Sequence, residues 1–506
     1  MEIFLDKKLK MPIYVQIAEQ IKTQIISKEL LPGMILLPER KLAQQLGVNR
    51  STILNAYDML KQEGYIEAQI GRGTIVSNIE KKNNEEKEET AVTREPCWSQ
   101  LFNVQVREFD NLLLRESLPL IDPKNIISFG LGIANVEEEP HLPFDELAKE
   151  VAVNSKCEAL TIGPIGGYQS LRNVIANMTR KRGISCLTEQ VMIVSGSQQG
   201  IDLATRVLIE PGDIVVVEAP SYFLGLQSFR AAGARIMEVA IDQDGMQLDQ
   251  LEQLLKRYHP KMIYTMPNYQ NPSSVCMSFA RRHRLVELAQ KHDIMILEDD
   301  AYGEFHYDNE ELPTLASIDT SGHVIYLKTF SKIISPGLRL GYMVAHKKII
   351  ETCSLVRQGE DLHPNSISQW LVEKYLLANS LESHISNICA RNRIKRDIMY
   401  DELLKYAPEG MTFFKPRGGI YIWCRLPEYV SAMKLLDKTL KRKVSFMPGL
   451  TFFLSEEGEH YIRLNFSYPK EEQIKEGIKV ICEEIALLSK EGEREQIRNS
   501  EFVPLY

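Results

Sequence analysis

Five short apolar segments, separated by stretches with helical spacing, constrain the fold of this chain most strongly. They are VMIVS (191–195), DIVVVEAP (213–220), MIYTMP (262–267), IMILEDD (294–300) and VIYLKTFS (324–331). Runs that are apolar on both faces are typical of a mostly parallel sheet covered by helices. Ligands bind such sheets at the carboxyl ends of the strands, and polar residues follow the apolar runs here. We therefore expect an α/β fold with a site at that edge.

A charged segment divides the chain into two parts. Residues 78–96, NIEKKNNEEKEETAVTREP, contain no aromatic residue and little that could be buried. They indicate a solvated linker, although an exposed helix rich in Glu and Lys would separate two domains equally well. The 506 residues are also too many for one compact core. We expect an N-terminal domain at 1–78, a linker at 79–98 and a large domain at 99–506, with a smaller C-terminal part from about residue 352.

Charge and composition exclude several classes of protein. The net charge is −8, which argues against a protein that coats nucleic acid indiscriminately. Residues 1–79 hold ten Lys and Arg against eight Asp and Glu, so their balance of +2 leaves −10 for the rest. The eight cysteines form no CxxC pair, so neither a zinc site nor a disulfide framework is indicated. No apolar run approaches the roughly 18 residues of a membrane helix. We expect a cytoplasmic protein with no membrane segment and no metal site.

The N-terminal domain has the pattern of a winged helix-turn-helix. Residues 13–28 carry apolar side chains at helical spacing. A short helix is expected after Pro38, followed by a turn and a second helix that Asn49 can cap. Two apolar segments around residues 71–73 indicate a hairpin with a tight, basic tip.

The start of the second helix is the candidate surface for DNA. The apolar stripe of this helix packs inward and leaves four polar residues exposed: Asn49, Arg50, Ser51 and Thr52. A recognition helix contacts bases and phosphates with this end. Arg40 opens the preceding helix, and Arg72 lies at the tip of the hairpin. Each residue alone could be a solvated charge on a small helical domain, but the ordered set favours DNA binding.

Residues 10–78 resemble the GntR family of bacterial regulators. The stretch LLPERKLAQQLGVNRSTILNAYDMLKQEGYI matches that family's pattern almost without gaps. The resemblance implies contacts with operator DNA by these residues: Arg40, Arg50, Ser51, Thr52, Gly71 and Arg72.

A lysine in a turn-rich segment of the large domain suggests a reactive amine. Lys332 lies in FSKIISPGLRLGY (330–342). A lysine that forms a Schiff base must lose its proton and face a carbonyl. Pyridoxal 5′-phosphate (PLP), a carbonyl cofactor, would also need a phosphate site, which backbone N–H groups at a helix start can form. The candidates for it are Gly196, Ser197, Gln198, Thr329 and Arg339. By itself, however, a Gly/Ser loop is most often just a turn.

Five further residues would complete a PLP site. Asp299 could keep the pyridine nitrogen protonated, which makes the ring an electron sink. Tyr302 and Asn271 could donate to the ring oxygen, and Tyr222 could cover the ring face. Arg463, in the apolar segment YIRLNFSY, would be costly to bury without an anion such as a substrate carboxylate. Taken singly, Asp299, Asn271 and Tyr222 are more often turn, capping or core residues.

The large domain is similar to the fold-type I aminotransferases over about residues 120–485. The shared motifs come in the family's order: GYQSLR, SGSQQG, EAPSY, PNYQNPSS, EDDAYGEF, FSKIISPGLRLGY, PRGGIYIWCRLP, FMPGLTFF and YIRLNFS. The resemblance implies PLP as the cofactor and a mostly parallel sheet with a smaller C-terminal α+β part. It also implies these roles: Lys332 for the Schiff base, Arg339 for the phosphate, Asp299 for the pyridine nitrogen, Asn271 and Tyr302 for the ring oxygen, and Arg463 for a substrate carboxylate.

One position departs from that family. Related sequences often carry a tyrosine two residues before the proline of a YGP motif, and it reaches across a dimer to the phosphate. This chain has Ile162 there, in LTIGPIGGY. Because a hydroxyl is missing, we expect weaker phosphate binding and weaker turnover.

A GntR-type winged helix followed by an aminotransferase-like domain is the layout of the MocR regulators. The resemblance implies a homodimeric transcription regulator that binds a double-stranded DNA operator and senses an amino compound through the PLP Schiff base. An active aminotransferase that carries a DNA-binding domain needs the same residues and stays open. A dimerisation scaffold with a dead site is disfavoured by the intact Lys332, Asp299 and Arg339. Turnover of an amino donor with a keto acid, compared with operator binding, separates the first two functions.

Overall fold

The computed structural model describes residues 12–26, 29–69, 73–77, 126–132, 144–154, 160–307, 312–378 and 381–501, together with positions 3 and 5. The chain divides into two compact units, residues 1–108 and 109–506. The linker predicted at 79–98 lies outside the described residues. None of the described helices is both long enough and apolar enough to cross a membrane.

The N-terminal unit has the predicted helices and hairpin. Its elements are α1 (Ile13–Ile26), α2 (Glu39–Leu46), α3 (Arg50–Gln62), β1 (Ile66–Gln69) and β2 (Gly73–Val76). The apolar stripes of α1 and α3 meet in a core that buries Ile17, Ile21 and Tyr57. Because this stripe faces inward, the start of α3 stays at the surface. Asn49 directly precedes α3, as predicted, but its side chain makes no capping hydrogen bond.

The large unit is built around an eight-stranded mixed sheet. The strands lie in the order β4-β11-β10-β9-β8-β5-β6-β7. The five from β10 to β6 are parallel, whereas β11 is antiparallel to both of its neighbours and β7 is antiparallel to β6. The bounds are β4 (Val191–Val194), β5 (Ile214–Ala219), β6 (Arg235–Asp242), β7 (Gly245–Met246), β8 (Met262–Thr265), β9 (Met295–Asp299), β10 (Val324–Thr329) and β11 (Gly341–Val344). The five apolar segments are all strands of this sheet, which confirms the fold class.

Helices cover both faces of this sheet. Val215 and Val217 of β5 join one apolar cluster, whereas Val216 between them joins another. Successive side chains of a strand point to opposite faces, so a strand buried this way needs cover on each side. The helices are α4 (Phe144–Asn154), α5 (Gln169–Lys181), α6 (Ser197–Leu208), α7 (Phe223–Ala231), α8 (Leu248–Leu255), α9 (Phe279–His292), α10 (Leu315–Ile318), α11 (Lys347–Gln358) and α12 (Ser366–Leu377).

A smaller sheet near the C-terminus completes the large unit. Its strands lie in the order β12-β13-β16-β15 and are antiparallel. Alternate residues of β13 and β16, such as Ile422 and Leu464, are buried in a separate apolar core on one face of this small sheet. The residues between them, including Tyr421 and Arg463, therefore belong to the opposite face. The elements are β3 (Ile127–Ser128), α13 (Leu381–Tyr406), β12 (Thr412–Phe413), β13 (Tyr421–Arg425), α14 (Ala432–Lys441), β14 (Val444–Ser445), β15 (Met447–Pro448), β16 (Tyr461–Asn465) and α15 (Glu471–Glu501). Strand β14 pairs in parallel with β3.

The domain limits proposed from the sequence stay predictions.

Candidate cofactor cavity and DNA-binding helix

A cavity of about 340 Å³ lies where the parallel strands end. The strand ends supply its polar wall, as the topology of an α/β sheet leads one to expect. The small sheet contributes Tyr421 and Arg463, and the segment after β3 contributes Gly130 to Gly132. The structure brings every residue predicted for the cofactor site to this cavity: Gly196, Ser197, Gln198, Tyr222, Asn271, Asp299, Tyr302, Thr329, Lys332, Arg339 and Arg463.

Lys332 follows β10 and carries the candidate reactive amine. Its Nζ donates a hydrogen bond to the carbonyl oxygen of Gly132. Burial lowers the pKa of Lys332 to about 8, and the positive charges of Arg463 and Arg339 act in the same direction, while Asp299 opposes them. A lowered pKa leaves a sizeable fraction of the amine uncharged near neutral pH, which nucleophilic attack requires.

Asp299 is the last residue of β9 and is buried. Its Oδ2 accepts a hydrogen bond of 3.0 Å from the hydroxyl of Tyr264. Its Oδ1 is buried as well and has no hydrogen-bond partner within the described part of the chain. Burial raises the pKa of Asp299 to about 6, against the opposing effects of the Tyr264 hydrogen bond and of Lys332. A buried acceptor without a donor is unfavourable, so this oxygen is suited to an N–H group of a ligand.

The start of α6 and Arg339 form a site suited to an anion. Gly196 precedes the helix in a left-handed conformation (φ +85°), and a Cβ at this residue would lie 2.9 Å from Nη2 of Arg339. Arg339 donates to the carbonyl oxygen of Ser195 and to Oγ of Ser331, both at 3.2 Å. Thr329, at the end of β10, accepts a hydrogen bond from the backbone N–H of Ser331. Backbone N–H groups and a guanidinium at a helix N-terminus favour a phosphate.

Arg463 of the small sheet also lines the cavity and has no acidic partner among the described residues. It is 2% exposed and donates to Oδ1 of Asn271 at 2.8 Å and to the carbonyl oxygen of Gly130 at 2.7 Å. Its Nε is buried and has no partner in the same part of the chain. A buried cation held by neutral groups alone is costly, so a carboxylate of a ligand would stabilise it.

Three tyrosines line the cavity between these charged groups. The hydroxyl of Tyr302 lies 2.9 Å from the hydroxyl of Tyr421. Tyr222 directly precedes α7, and burial raises its pKa, so its hydroxyl stays neutral. Sequence reasoning missed Tyr421 and also Tyr264, the partner of Asp299. Both lie inside apolar strands, and the GGIYIW motif was the one available signal for Tyr421.

The position that departs from the family lies at the surface of this chain. The side chain of Ile162 is 81% exposed, and Leu160 beside it is 75% exposed.

Five of the predicted DNA-contacting residues lie at the starts of α2 and α3. Arg40, Asn49, Arg50 and Ser51 are exposed, and Thr52 is half-buried. Nη2 of Arg50 pairs with Oε2 of Glu39 at 3.0 Å, which the sequence did not predict. The hairpin residues Gly71 and Arg72 lie outside the described residues.

Two protein-family models match the chain in succession. The model for aminotransferase class I and II matches residues 124–481. The chain belongs to this aminotransferase family. The model for bacterial regulatory proteins of the gntR family matches residues 13–76. The aminotransferase-like domain therefore follows a GntR-type helix-turn-helix domain.

Relatives cover either the aminotransferase domain or both domains. The chain is 38% identical to aromatic-amino-acid aminotransferase 1 of Thermococcus litoralis over 378 residues, 74% of this chain and 91% of the relative. The crystal structure of LysN, an alpha-aminoadipate aminotransferase from Thermus thermophilus complexed with N-(5′-phosphopyridoxyl)-L-leucine, has 32% identity and a TM-score of 0.73, and the match covers 78% of this chain and 100% of LysN. The probable rhizopine catabolism regulatory protein MocR of Rhizobium meliloti is 24% identical over 491 residues, 97% of each chain. This aminotransferase-family chain thus has the two-domain organisation of MocR-type regulators.

Proposed function

We propose that the chain is a PLP-dependent transcription regulator that binds operator DNA and responds to an amino compound. One observation carries the proposal. A lysine of lowered pKa lies in one cavity with an anion site, a buried acid whose Oδ1 lacks a partner among the described residues, and a buried arginine that lacks an acidic partner there. The same chain begins with a helix-turn-helix domain.

The cavity residues fit PLP in charge and in hydrogen-bonding capacity. The start of α6 with Arg339 suits the phosphate, and Oδ1 of Asp299 suits a protonated pyridine nitrogen. Tyr302 and Asn271 could serve the ring oxygen, Tyr222 the ring face, and Lys332 the aldehyde. When bound, PLP supplies an aldehyde that captures amines and a ring that accepts electrons. The complex of LysN with a phosphopyridoxyl amino acid, at 32% identity, supports this assignment.

An amino acid is the class of effector that this cavity suits. Arg463 is buried, held by Asn271, and lacks an acidic partner among the described residues, so it would bind the effector's carboxylate. If the effector's amine displaced Lys332 from the cofactor, Nζ of Lys332 would be free to accept or return a proton.

The N-terminal domain would supply recognition of double-stranded DNA through α3. Arg50 and its neighbours at the start of this helix are exposed, so a groove could approach them. We further propose a homodimer, because a helix-turn-helix protein commonly reads two half-sites. The hairpin residues Gly71 and Arg72 are part of the same proposal.

A working aminotransferase is the second candidate. The relative from Thermococcus litoralis, at 38% identity, is named as an aromatic-amino-acid aminotransferase. The proposed roles of Lys332, Asp299 and Arg463 are the same in both functions. The exposed Ile162, where relatives often carry a tyrosine, weakens this candidate.

The experiment begins with purified protein loaded with PLP. Borohydride reduction and peptide mapping should find the cofactor on Lys332, and Lys332→Ala should lose the covalent product while still binding free cofactor. Operator affinity and steady-state turnover are then measured with the same amino acids. An amino acid that changes operator affinity without sustained turnover supports a regulator, whereas sustained turnover without a change in affinity supports the enzyme. Trapping on a different lysine would contradict the site.

A further inference from the structure

Tyr421 contacts more of the site's functional groups than the sequence suggested. It is 1% exposed, lines the cavity, and belongs to β13 of the small sheet. Its hydroxyl lies 2.9 Å from the hydroxyl of Tyr302, which follows β9 of the large sheet. This hydrogen bond therefore joins a residue of the large sheet's polar edge to a residue of the small sheet.

The ring of Tyr421 has a second contact. The guanidinium of Arg463 lies over it, 4.2 Å from the ring centroid. The register of the small sheet explains this, because Trp423 is directly opposite Arg463 and Tyr421 is two residues away on the same face. Such diagonal neighbours are within reach of long side chains and aromatic rings. A guanidinium over an aromatic face is attracted to it, more strongly where water is excluded.

The backbone around Tyr421 fixes its position. Oγ of Ser274 donates to the carbonyl oxygen of Tyr421 at 2.8 Å. A Cβ at Gly132 would lie 3.0 Å from the hydroxyl of Tyr421, so the glycine permits close approach. The carbonyl oxygen of Gly132 in turn accepts the hydrogen bond from Lys332. Tyr421 thus contacts Tyr302 and Arg463 and lies beside Gly132, the acceptor of the hydrogen bond from Lys332.

We propose that Tyr421 is a positioning residue for two groups of this site, the hydroxyl of Tyr302 and the guanidinium of Arg463. Its hydroxyl donates to Tyr302 and orients that residue toward the ring oxygen of PLP, and its ring braces Arg463 for an amino acid carboxylate. The inference rests on the proposed function, since it takes Tyr302 as the partner of the cofactor's ring oxygen.

The direction of the hydrogen bond follows from a count of protons. Each phenol has one O–H, and either of the two could be the donor in the pair. Burial raises the pKa of Tyr302 well above its ordinary value, so Tyr302 keeps its proton. If the O–H of Tyr302 donates its hydrogen bond to an anionic ring oxygen, Tyr302 has no second proton to donate. The O–H of Tyr421 must then donate to the oxygen of Tyr302. A chain of two such bonds polarises the middle hydroxyl and makes it a stronger donor.

The first test separates the hydroxyl from the ring. A hydrogen bond to the ring oxygen of PLP stabilises that oxygen most when the Lys332 nitrogen beside it has lost its proton. Loss of the donor should therefore raise the midpoint, the pH at which the absorbance of bound PLP is halfway through its change. Tyr302→Phe should raise the midpoint, and Tyr421→Phe should raise it by a smaller amount. In the Tyr302→Phe background, Tyr421→Phe should add no further shift, because its hydroxyl acts through Tyr302.

A matched control and a second variant complete the design. Tyr307→Phe also removes a buried hydroxyl, but that hydroxyl donates to the carbonyl oxygen of Gly419 rather than to Tyr302, so the midpoint should not move. Tyr421→Leu removes the ring face as well, and it should weaken amino acid binding to the PLP-loaded protein more than Tyr421→Phe does.

The outcomes distinguish this inference from the proposed function. A wild type that binds no PLP would contradict both. A wild type that binds PLP while folded Tyr421→Phe keeps the same midpoint would overturn the hydroxyl's role alone. An equal midpoint shift from Tyr421→Phe with and without Tyr302 would also overturn it, since the effect would then be structural. Equal amino acid affinity in Tyr421→Phe and Tyr421→Leu would overturn the role of the ring.

Discussion

Gly196 and Arg339 approach so closely that a side chain at residue 196 would displace the guanidinium of Arg339. A Cβ at Gly196 would lie 2.9 Å from Nη2 of Arg339, and the residue also has a left-handed backbone (φ +85°). Arg339 is itself left-handed (φ 48°) at the end of a short 3₁₀ turn. A non-glycine residue in this conformation is strained, and such residues cluster at active sites and ligand-binding sites. The pair brings a guanidinium to the start of α6, where the proposed phosphate would bind.

The first prediction uses this contact. Gly196→Ala should weaken PLP binding, because the new methyl group would push Arg339 away from the helix start. Gly212→Ala is the matched control, since Gly212 is also left-handed (φ +93°) but a Cβ there would contact nothing within 4 Å. Both variants should lose about 1 kcal/mol of stability from the backbone conformation. The measurement is the affinity for PLP, obtained by titration of each folded variant. Equal affinities of Gly196→Ala and Gly212→Ala would contradict the phosphate assignment.

The second prediction concerns the pH dependence of Lys332. Its pKa is lowered to about 8, so the reactive, uncharged amine accumulates as the pH rises through that value. The rate of PLP capture by the cofactor-free protein, measured by borohydride trapping, should rise with a midpoint near pH 8, rather than near the ordinary lysine value of 10.5.

A variant of Asp299 tests the sign of this effect. The negative charge of Asp299 raises the pKa of Lys332, so Asp299→Asn should move the midpoint of PLP capture to lower pH. A midpoint that stays in place or moves upward would show that Asp299 does not act on Lys332 as described.

The third prediction concerns DNA. Arg50→Ala should weaken binding to the protein's own operator by about 1–3 kcal/mol if this arginine contacts a base. The matched control is Arg206→Ala, which removes another exposed arginine that pairs with an acid, Asp202, in the large unit. Operator titrations at several salt concentrations provide the measurement, since phosphate contacts make affinity fall with salt. Unchanged binding by a folded Arg50→Ala, Arg72→Ala double variant would rule out the proposed contacts.

Much of the fold was predictable because its signals are local. Segments such as DIVVVEAP are apolar on both faces, and only a covered sheet buries both. The rule that ligands meet the carboxyl ends of such strands then assigns Asp299 and Lys332 to one edge from the order of residues alone. The helix-turn-helix pattern was equally local, because the apolar stripe of α3 determines which end stays exposed.

The contacts that the sequence missed are tertiary. Tyr264 and Asp299 are 35 residues apart in the chain, and the bond between them depends on β8 lying beside β9. Tyr302 and Tyr421 are 119 residues apart and belong to different parts of the large unit. The antiparallel placement of β11 was not predicted for a similar reason, because its GYMV segment is as buried as its neighbours β4 and β10, and burial does not show the direction of a strand. The local sequence pattern does not show which strands become neighbours in the sheet.

The link between the two functions is tested at Arg463. We expect an amino acid that binds the PLP-loaded protein to change its operator affinity, by the roughly 5- to 150-fold that is typical of allosteric coupling. Arg463→Ala removes the proposed carboxylate partner, so it should abolish this response and leave basal operator affinity intact, as measured on variant protein that its absorbance shows to be loaded with PLP. If the protein does not fold with alanine at this buried position, Arg463→Lys is the alternative variant. It keeps the positive charge but cannot form a bidentate contact with a carboxylate.

The most direct measurement is an operator titration of wild type and Arg463→Ala, with and without an amino acid whose binding is shown by the absorbance of PLP. The account predicts that the amino acid shifts operator affinity in the wild type and leaves it unchanged in the variant. The contradicting result is a wild type whose operator affinity does not respond, while the same amino acid is converted to its keto acid over many turnovers.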